Sequence, residues 1–122
     1  MPLDGARKDI AINAAVPDTV YVALHTGYPA TIANEVSDIP RQAVTVPRST
    51  DGSGTQVCVG TPICLFTVSS DTIVGSVGIW DSPNTGDGNR LAYFDNADIS
   101  VAVNDKVSVN TLVFGAEDIA GK

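Results

Sequence analysis

The segment from Val20 to Val46 constrains the fold most, because it holds two strand-like runs separated by a turn-rich insert. From Val20 to His25 every second residue is apolar, and β-branched or aromatic side chains dominate, which is typical of a half-buried strand. A glycine and a proline end this run, residues 30–40 have a loop composition, and Gln42 to Val46 resumes the strand pattern. We therefore predict two β-strands joined by one long loop.

Further strand-like runs follow, separated by polar and glycine-rich turns. Gln56 to Val68 predicts one or two short strands around Gly60-Thr61-Pro62, and Leu91 to Phe94 predicts another. Thr72 to Trp80 is the most strand-like run after the first. Its two glycines, at positions 75 and 78, would weaken a strand unless a neighbour packs close to the backbone there.

The C-terminal part of the chain has the pattern of a hairpin. Apolar residues alternate through residues 99–103 and again through 107–113, and Asn104-Asp105 between them suits a two-residue turn. We predict that these two runs pair with each other.

The N-terminal segment, residues 3–16, is the one stretch with helical character. Asp4 is placed to cap a helix, Arg7 and Lys8 favour one, and Pro17 ends the segment. Ile10, Ala6 and Ala14 would share one face. The alternative is a disordered arm.

These elements predict an all-β fold of seven or eight short strands, either a β-sandwich or a small jelly-roll or barrel-like domain. At 122 residues the chain is one domain: residues 1–17 form the helix or arm, 18–114 the sandwich and 115–122 a tail. The predicted core comprises Val22, Leu24, Val44, Val46, Leu65, Val77, Ile79, Val101, Val107 and Val109.

Charge and hydropathy exclude two classes of partner. Seven Lys and Arg against 14 Asp and Glu give a net charge of −7, whereas binding to a phosphate backbone needs clustered basic residues. No apolar run approaches the ~20 residues of a membrane span. The first twenty residues lack the uninterrupted apolar core of a secretory signal, so we expect synthesis in a cytoplasm.

No catalytic or metal constellation can be named, so the sequence predicts no enzyme and no cofactor. The single histidine, His25, is not accompanied by a nucleophile-elbow sequence, and we expect its imidazole to hydrogen-bond the backbone of residues 27–40. The acidic, glycine-rich loop 81–89 lacks the terminal glutamate of a calcium loop and predicts a solvated turn.

Two residue types leave alternatives open. Cys58 and Cys64 lack the spacing and histidines of a zinc site, but they could form a cross-strand disulfide if Gly60-Thr61-Pro62 turns a hairpin, or remain buried thiols. Trp80, the only tryptophan, is either a core or rim residue of the sandwich or a platform on which a sugar stacks.

Four motifs resemble a known family. LHTGYP at residues 24–29, ANEV at 33–36, RQAVT at 41–45 and VGIWD at 77–81, with Leu91-Ala92-Tyr93 after them, resemble the pattern of small virion proteins of actinobacterial tailed phages. Order and spacing fit over most of residues 20–114. Tyr28 stands where the pattern usually has Asp, and Ile39-Pro40 where it has Tyr-Ala. The resemblance implies a virion structural protein that is made in the host cytoplasm. It does not decide whether the protein is located on the phage head or on the tail.

Two roles follow from this resemblance. The first is a capsid decoration protein that binds the major capsid protein on the outside of the head. The alternative is a minor tail, tail-tip or fibre protein that binds the host envelope. Either role favours a homo-oligomer, and we predict a trimer.

We expect two segments to contact the partner. They are the N-terminal segment, through Leu3, Arg7 and Ile10, and the long loop, through Tyr28 and Ile32. His25, Arg41 and Trp80 are expected to anchor that loop. The alternative is that the helix packs on its own sandwich and the loop only covers a sheet edge.

Overall fold

The computed structural model describes residues 4–115, except for the side chain of Thr61. These residues form one helix, a 3-10 turn and six strands that make two antiparallel sheets. The first sheet has the order β2-β1-β4-β5 and the second pairs β3 with β6. Their bounds are α1 (Gly5–Ala15), β1 (Thr19–His25), η1 (Ile32–Asn34), β2 (Gln42–Thr45), β3 (Thr55–Thr67), β4 (Thr72–Trp80), β5 (Arg90–Val101) and β6 (Lys106–Gly115).

This architecture confirms the predicted all-β sandwich with one short N-terminal helix. β3 is interrupted between Val59 and Cys64, where its pairing with β6 changes register. Counting its two halves separately gives seven strands. Among the described residues, no helix has the length and apolar composition needed to cross a membrane.

The core lies between the two sheets and matches most of the prediction. Val22, Leu24, Val44, Val46 and Ile79 are buried, and Val77, Val101, Val107 and Val109 pack against them half-buried. Leu65 was predicted wrongly, because 46% of it is exposed. Its neighbours Cys64 and Phe66 point into the core, so the alternation of β3 turns Leu65 outward.

The predicted C-terminal hairpin is also wrong. β5 pairs with β4, and β6 pairs with β3 in the other sheet. The turn after β5 forms as expected, with Asn104 at a φ of 72°, but it passes the chain from one sheet to the other. Val68, the residue after β3, accepts a hydrogen bond from the Asn104 N–H (2.7 Å) and donates one to the Asp105 carbonyl (2.9 Å).

The N-terminal helix packs on its own domain. Asp4 occupies the N-cap position without a side-chain capping bond, and the helix buries Ile12, followed by Val16, rather than the predicted face with Ile10. Asn13 exchanges hydrogen bonds with the backbone of Ser49 (2.9 and 3.0 Å). For residues 5–15, the disordered-arm alternative is therefore wrong.

Both cysteines are buried, free thiols. Residues 60–63 form a bulge rather than a hairpin turn, and the two halves of β3 continue along the same partner strand. Burial and the neighbouring Cys58 raise the pKa of the Cys64 thiol to about 11, so it stays protonated at neutral pH. Of the predicted tail, residues 115–122, Gly115 belongs to β6 instead, and residues 116–122 lie outside the described residues.

Candidate interaction face formed by the motif loops

His25 joins the first strand, the long loop and the fourth strand. It is fully buried at the end of β1, where Trp80 Nε1 donates a hydrogen bond to its Nε2 (3.2 Å). Because Nε2 accepts, the ring proton lies on Nδ1, which faces the Thr31 carbonyl (3.0 Å) and Asn34 Oδ1 (2.9 Å). Burial lowers the pKa of His25, so the imidazole is neutral. Its Nδ1 holds the long loop, and its Nε2 is held by Trp80 of β4.

Gly78 makes room for this pair. A Cβ at Gly78 would lie 2.6 Å from Trp80 Nε1 and would also collide with the His25 ring. Similarly, a Cβ at Gly75 would lie 3.1 Å from the Gly27 Cα and the Thr26 carbonyl. Both glycines of this strand therefore meet the condition stated for them, a neighbour packed close to the backbone.

Arg41 connects the long loop to the loop 81–89. Its Nε and Nη2 donate to the two carboxylate oxygens of Glu35 (2.9 and 2.7 Å), and Nη1 donates to the carbonyls of Ser82 and Asp87 (both 2.8 Å). The guanidinium also stacks 4.6 Å from the Trp80 ring centroid. Both ionic side chains are buried, so Arg41 acts as a cross-tie between two loops that are distant in sequence.

The cross-tie keeps Glu35 ionised. Burial would raise the pKa of its carboxyl, but hydrogen bonds from Arg41 and from the Gly86 N–H (3.0 Å), together with the charge of Arg41, lower it overall. The charge on each partner is thus compensated inside the protein.

The loop 81–89 closes on itself through Asp81. The Asp81 carboxylate accepts hydrogen bonds from the backbone (2.7 Å) and side-chain (3.2 Å) N–H groups of Asn89, which lower its pKa. The carboxylate is therefore used to close the turn. Within residues 4–115 there is no group of three or more His, Cys, Asp or Glu side chains able to hold a metal ion.

A cluster of exposed side chains lies on the outside of this network. Tyr28 is 56% exposed and its ring lies 5.4 Å from that of Tyr93. The neighbouring phenol of Tyr93 raises the pKa of Tyr28. Arg90 stacks 4.1 Å from the Tyr93 ring centroid and donates to the Ala30 carbonyl (2.5 Å). Ile32, on the same loop as Tyr28, is 48% exposed. We call the exposed residues Tyr28, Ile32, Arg90 and Tyr93 the aromatic face.

The structure does not bring all predicted contact residues together. His25, Arg41 and Trp80 meet in one network, and Tyr28 and Ile32 lie on the loop that the network holds. Arg7 and Ile10 are exposed on α1, whose polar contacts are with residues 48–56. Leu3 lies outside the described residues. The role of these residues as partner contacts stays a prediction.

Sequence reasoning missed several residues of this site. Asn34, Glu35 and Gly78 stand inside the quoted motifs, and the motif pattern was the signal that could have assigned them a joint role. Arg90 and Tyr93 were missed as face residues because their contact with the long loop depends on strand pairing.

The fold and the site define a β-sandwich whose motif residues position loops and thereby present a surface. A protein-family model described as podophage GP4 fiber I protein gp80 matches residues 4–114. The chain belongs to this family and is a structural protein of a phage virion. Comparisons with curated proteins and with solved structures found no match. The actinobacterial part of the resemblance stays a prediction.

Proposed function

We propose that the protein is a component of a virion fibre, the alternative of the two predicted roles. The observation that carries this proposal is the match of residues 4–114 to a family described as a fibre protein. That description gives no support to capsid decoration. A fibre subunit needs a stable fold and a surface for contact rather than catalytic groups, and we propose no enzymatic activity.

We further propose that the aromatic face contacts the partner, which is either a neighbouring virion protein or the host envelope. Tyrosine and arginine side chains are frequent in the energetically important centres of interfaces. The loop that carries Tyr28 and Ile32 is fixed beneath by His25 and by the Arg41–Glu35 cross-tie. A loop fixed in advance loses less conformational entropy on binding.

The location in the virion can be tested by electron microscopy. Gold-labelled antibodies against the protein should mark the tail or its fibres, and mass spectrometry of purified virions should show few copies relative to the major capsid protein. Label distributed over the head, with a copy number close to that of the capsid protein, would overturn the fibre proposal and favour decoration.

The aromatic face can be tested with a Tyr28→Ala, Ile32→Ala variant introduced into the phage. Truncation of a hot-spot residue costs about 2 kcal/mol or more, and about 1.4 kcal/mol corresponds to a factor of ten, so we expect a loss of at least about tenfold in partner affinity. Fewer copies per virion would indicate a contact within the particle, whereas normal copy number with slower adsorption would indicate a host contact.

The matched control is Ile73→Ala, Val59→Ala, which removes exposed apolar side chains from other surfaces of the sandwich. This control should leave both readouts unchanged. If the aromatic-face variant also incorporated and adsorbed normally, the face would have no role in partner binding.

A further inference from the structure

The free edge of β6 is the least protected strand edge of the sandwich. Within residues 4–115, β6 pairs only with β3, so its other edge offers unpaired backbone N–H and C=O groups. From Val107 to Gly115 the strand carries neither a charged residue nor a proline. Natural proteins usually protect such an edge with one or the other.

The other strand edges show such protection. β5, the free edge of the larger sheet, carries Asp95 and Asp98 and an irregularity in its pairing with β4. β3 carries Pro62 and a bulge, and its Leu65 backbone bonds the Gln42 side chain of β2. β2, the remaining edge, is only four residues long. Beyond Lys106, the other residues of β6 have none of these features.

The inner face of β5 next to this edge is left uncovered. The smaller sheet has two strands against four in the larger one. Phe94 and Ile99 pair with Val77 and Val74 and share their inward face, yet they are 37% and 52% exposed. Two adjoining apolar hollows of about 170 and 210 Å³ lie here between β5 and β6.

The hollows also contain an unsatisfied hydrogen-bond acceptor. Asn96 lines both of them, and its Nδ2 donates to the carbonyls of Val74 (2.9 Å) and Ala97 (3.0 Å). Its Oδ1 is buried and has no hydrogen-bond partner among the described residues. A buried acceptor without a partner costs free energy, so the region beside this edge is not fully satisfied within the single chain.

We propose that β6 pairs edge to edge, in antiparallel orientation, with β6 of a second copy of this chain. The contact is isologous, so one two-fold axis satisfies both free edges. The contact joins the two-stranded sheets of the two copies into one four-stranded sheet. This sheet has the same number of strands as the larger sheet and covers Phe94 and Ile99. The inward residues of the partner's β6, Val107 and Val109, then face the apolar lining of the hollows.

For contact with a second copy, charge favours this edge over the acidic surfaces of the chain. Each chain carries a net charge of −7, so most pairs of surfaces repel one another, but β6 has no acidic residue and begins with Lys106. This contact does not depend on the proposed fibre role.

Sedimentation equilibrium of the isolated protein tests the proposal. The wild-type chain should form dimers, and Ser108→Lys should move dimerisation to at least about tenfold higher concentration, because it places like charges on the paired edge. The matched control is Ser100→Lys on the outer face of β5, which should dimerise as wild type. Circular dichroism checks that both variants fold. A wild-type chain that stays monomeric, or dimers equally affected by both changes, would overturn the proposal.

Disulfide trapping gives a second, independent readout. Single cysteines at Ser108, Asn110 and Thr111 sample the exposed edge of β6, and the residue nearest the two-fold axis should cross-link to itself under mild oxidation. Ser100→Cys should not cross-link. If none of the three β6 positions reacts faster than Ser100→Cys, the copies do not meet along this strand.

Discussion

At the residue scale, Gly78 is the position where a single methyl group should be least tolerated. A Cβ there would collide with the ring of His25 and with Trp80 Nε1. We expect Gly78→Ala to lower the free energy of unfolding by about 1–3 kcal/mol, because the hydrogen-bonded ring pair must separate or the strand must shift. Urea denaturation followed by tryptophan fluorescence measures the change at the affected residue itself.

Gly115→Ala provides the matched control, because a Cβ there meets nothing within 4 Å. It should leave the midpoint of unfolding nearly unchanged. Equal effects of the two changes would mean that Gly78 is required for backbone reasons and not for the space it leaves.

The position of His25 at the base of the loop could be predicted from sequence, since a lone polar residue ends an alternating apolar run. Its main partner could not, because Trp80 is 55 residues away and faces it only through the pairing of β1 with β4. Hydrophobic alternation gives the face on which a residue lies, but not its neighbour across the sheet.

At the scale of elements, the Arg41–Glu35 cross-tie should dominate the stability of the loops. Arg41→Ala leaves the buried Glu35 carboxylate without its cation, and we expect a loss of about 3–5 kcal/mol in the free energy of unfolding. Hydrogen exchange should also show faster opening of residues 82–89, whose carbonyls lose their donor. Arg41→Lys should recover only part of the loss, because an ammonium cannot bond all four acceptors in this geometry.

Asp18→Ala is the control for this prediction. The Asp18 carboxylate is exposed and pairs with Arg48 Nε at 3.0 Å, and such surface pairs contribute about 0–1 kcal/mol. A loss at Arg41 no larger than that at Asp18 would show that the cross-tie is not stabilising.

The elements also show where prediction from sequence fails. The alternation correctly indicated strands in residues 99–101 and 107–113, and Asn104 correctly indicated a turn, which already includes Val103. Pairing of adjacent runs was assumed, although a tight turn can equally lead from one sheet to the other, as it does here beside Val68. The prediction that Leu65 is in the core failed for a related reason. Its hydrophobicity suggested burial, whereas its place in the alternation of β3 puts its side chain on the outer face of the sheet.

At the scale of the whole molecule, stability should fall as the pH drops below about 6.5. Folding lowers the pKa of His25 from its usual 6.5, so the unfolded chain binds more protons than the folded one in this range. The stabilisation is therefore complete above the unfolded pKa and is lost as the pH falls towards the folded pKa. The maximal slope is about 1.4 kcal/mol per pH unit.

Thermal melts between about pH 5.5 and 6.5 measure this slope above the range in which carboxylates of the unfolded chain take up protons, and the chain has one histidine to titrate there. His25→Gln should be less stable overall but should lack the pH dependence in this window. A variant that kept the wild-type slope would place the titrating group elsewhere.

The assembly of the whole molecule was the property least accessible from sequence. The trimer was inferred from the virion role and stays a prediction, whereas the open edge of β6 becomes visible only when the two sheets are known to differ in width. Pairing along β6 by itself gives dimers, so a trimer would require a further contact.

The Arg41–Glu35 cross-tie has a consequence for how such a protein can diversify. It holds both loops through buried side chains and backbone carbonyls, while the residues at the loop tips, such as Tyr28, Pro83 and Thr85, are exposed. Mutations at the tips can therefore change the chemistry of the surface with little effect on folding. Selection for a new binding partner could then act on the tips while the scaffold beneath them stays constant.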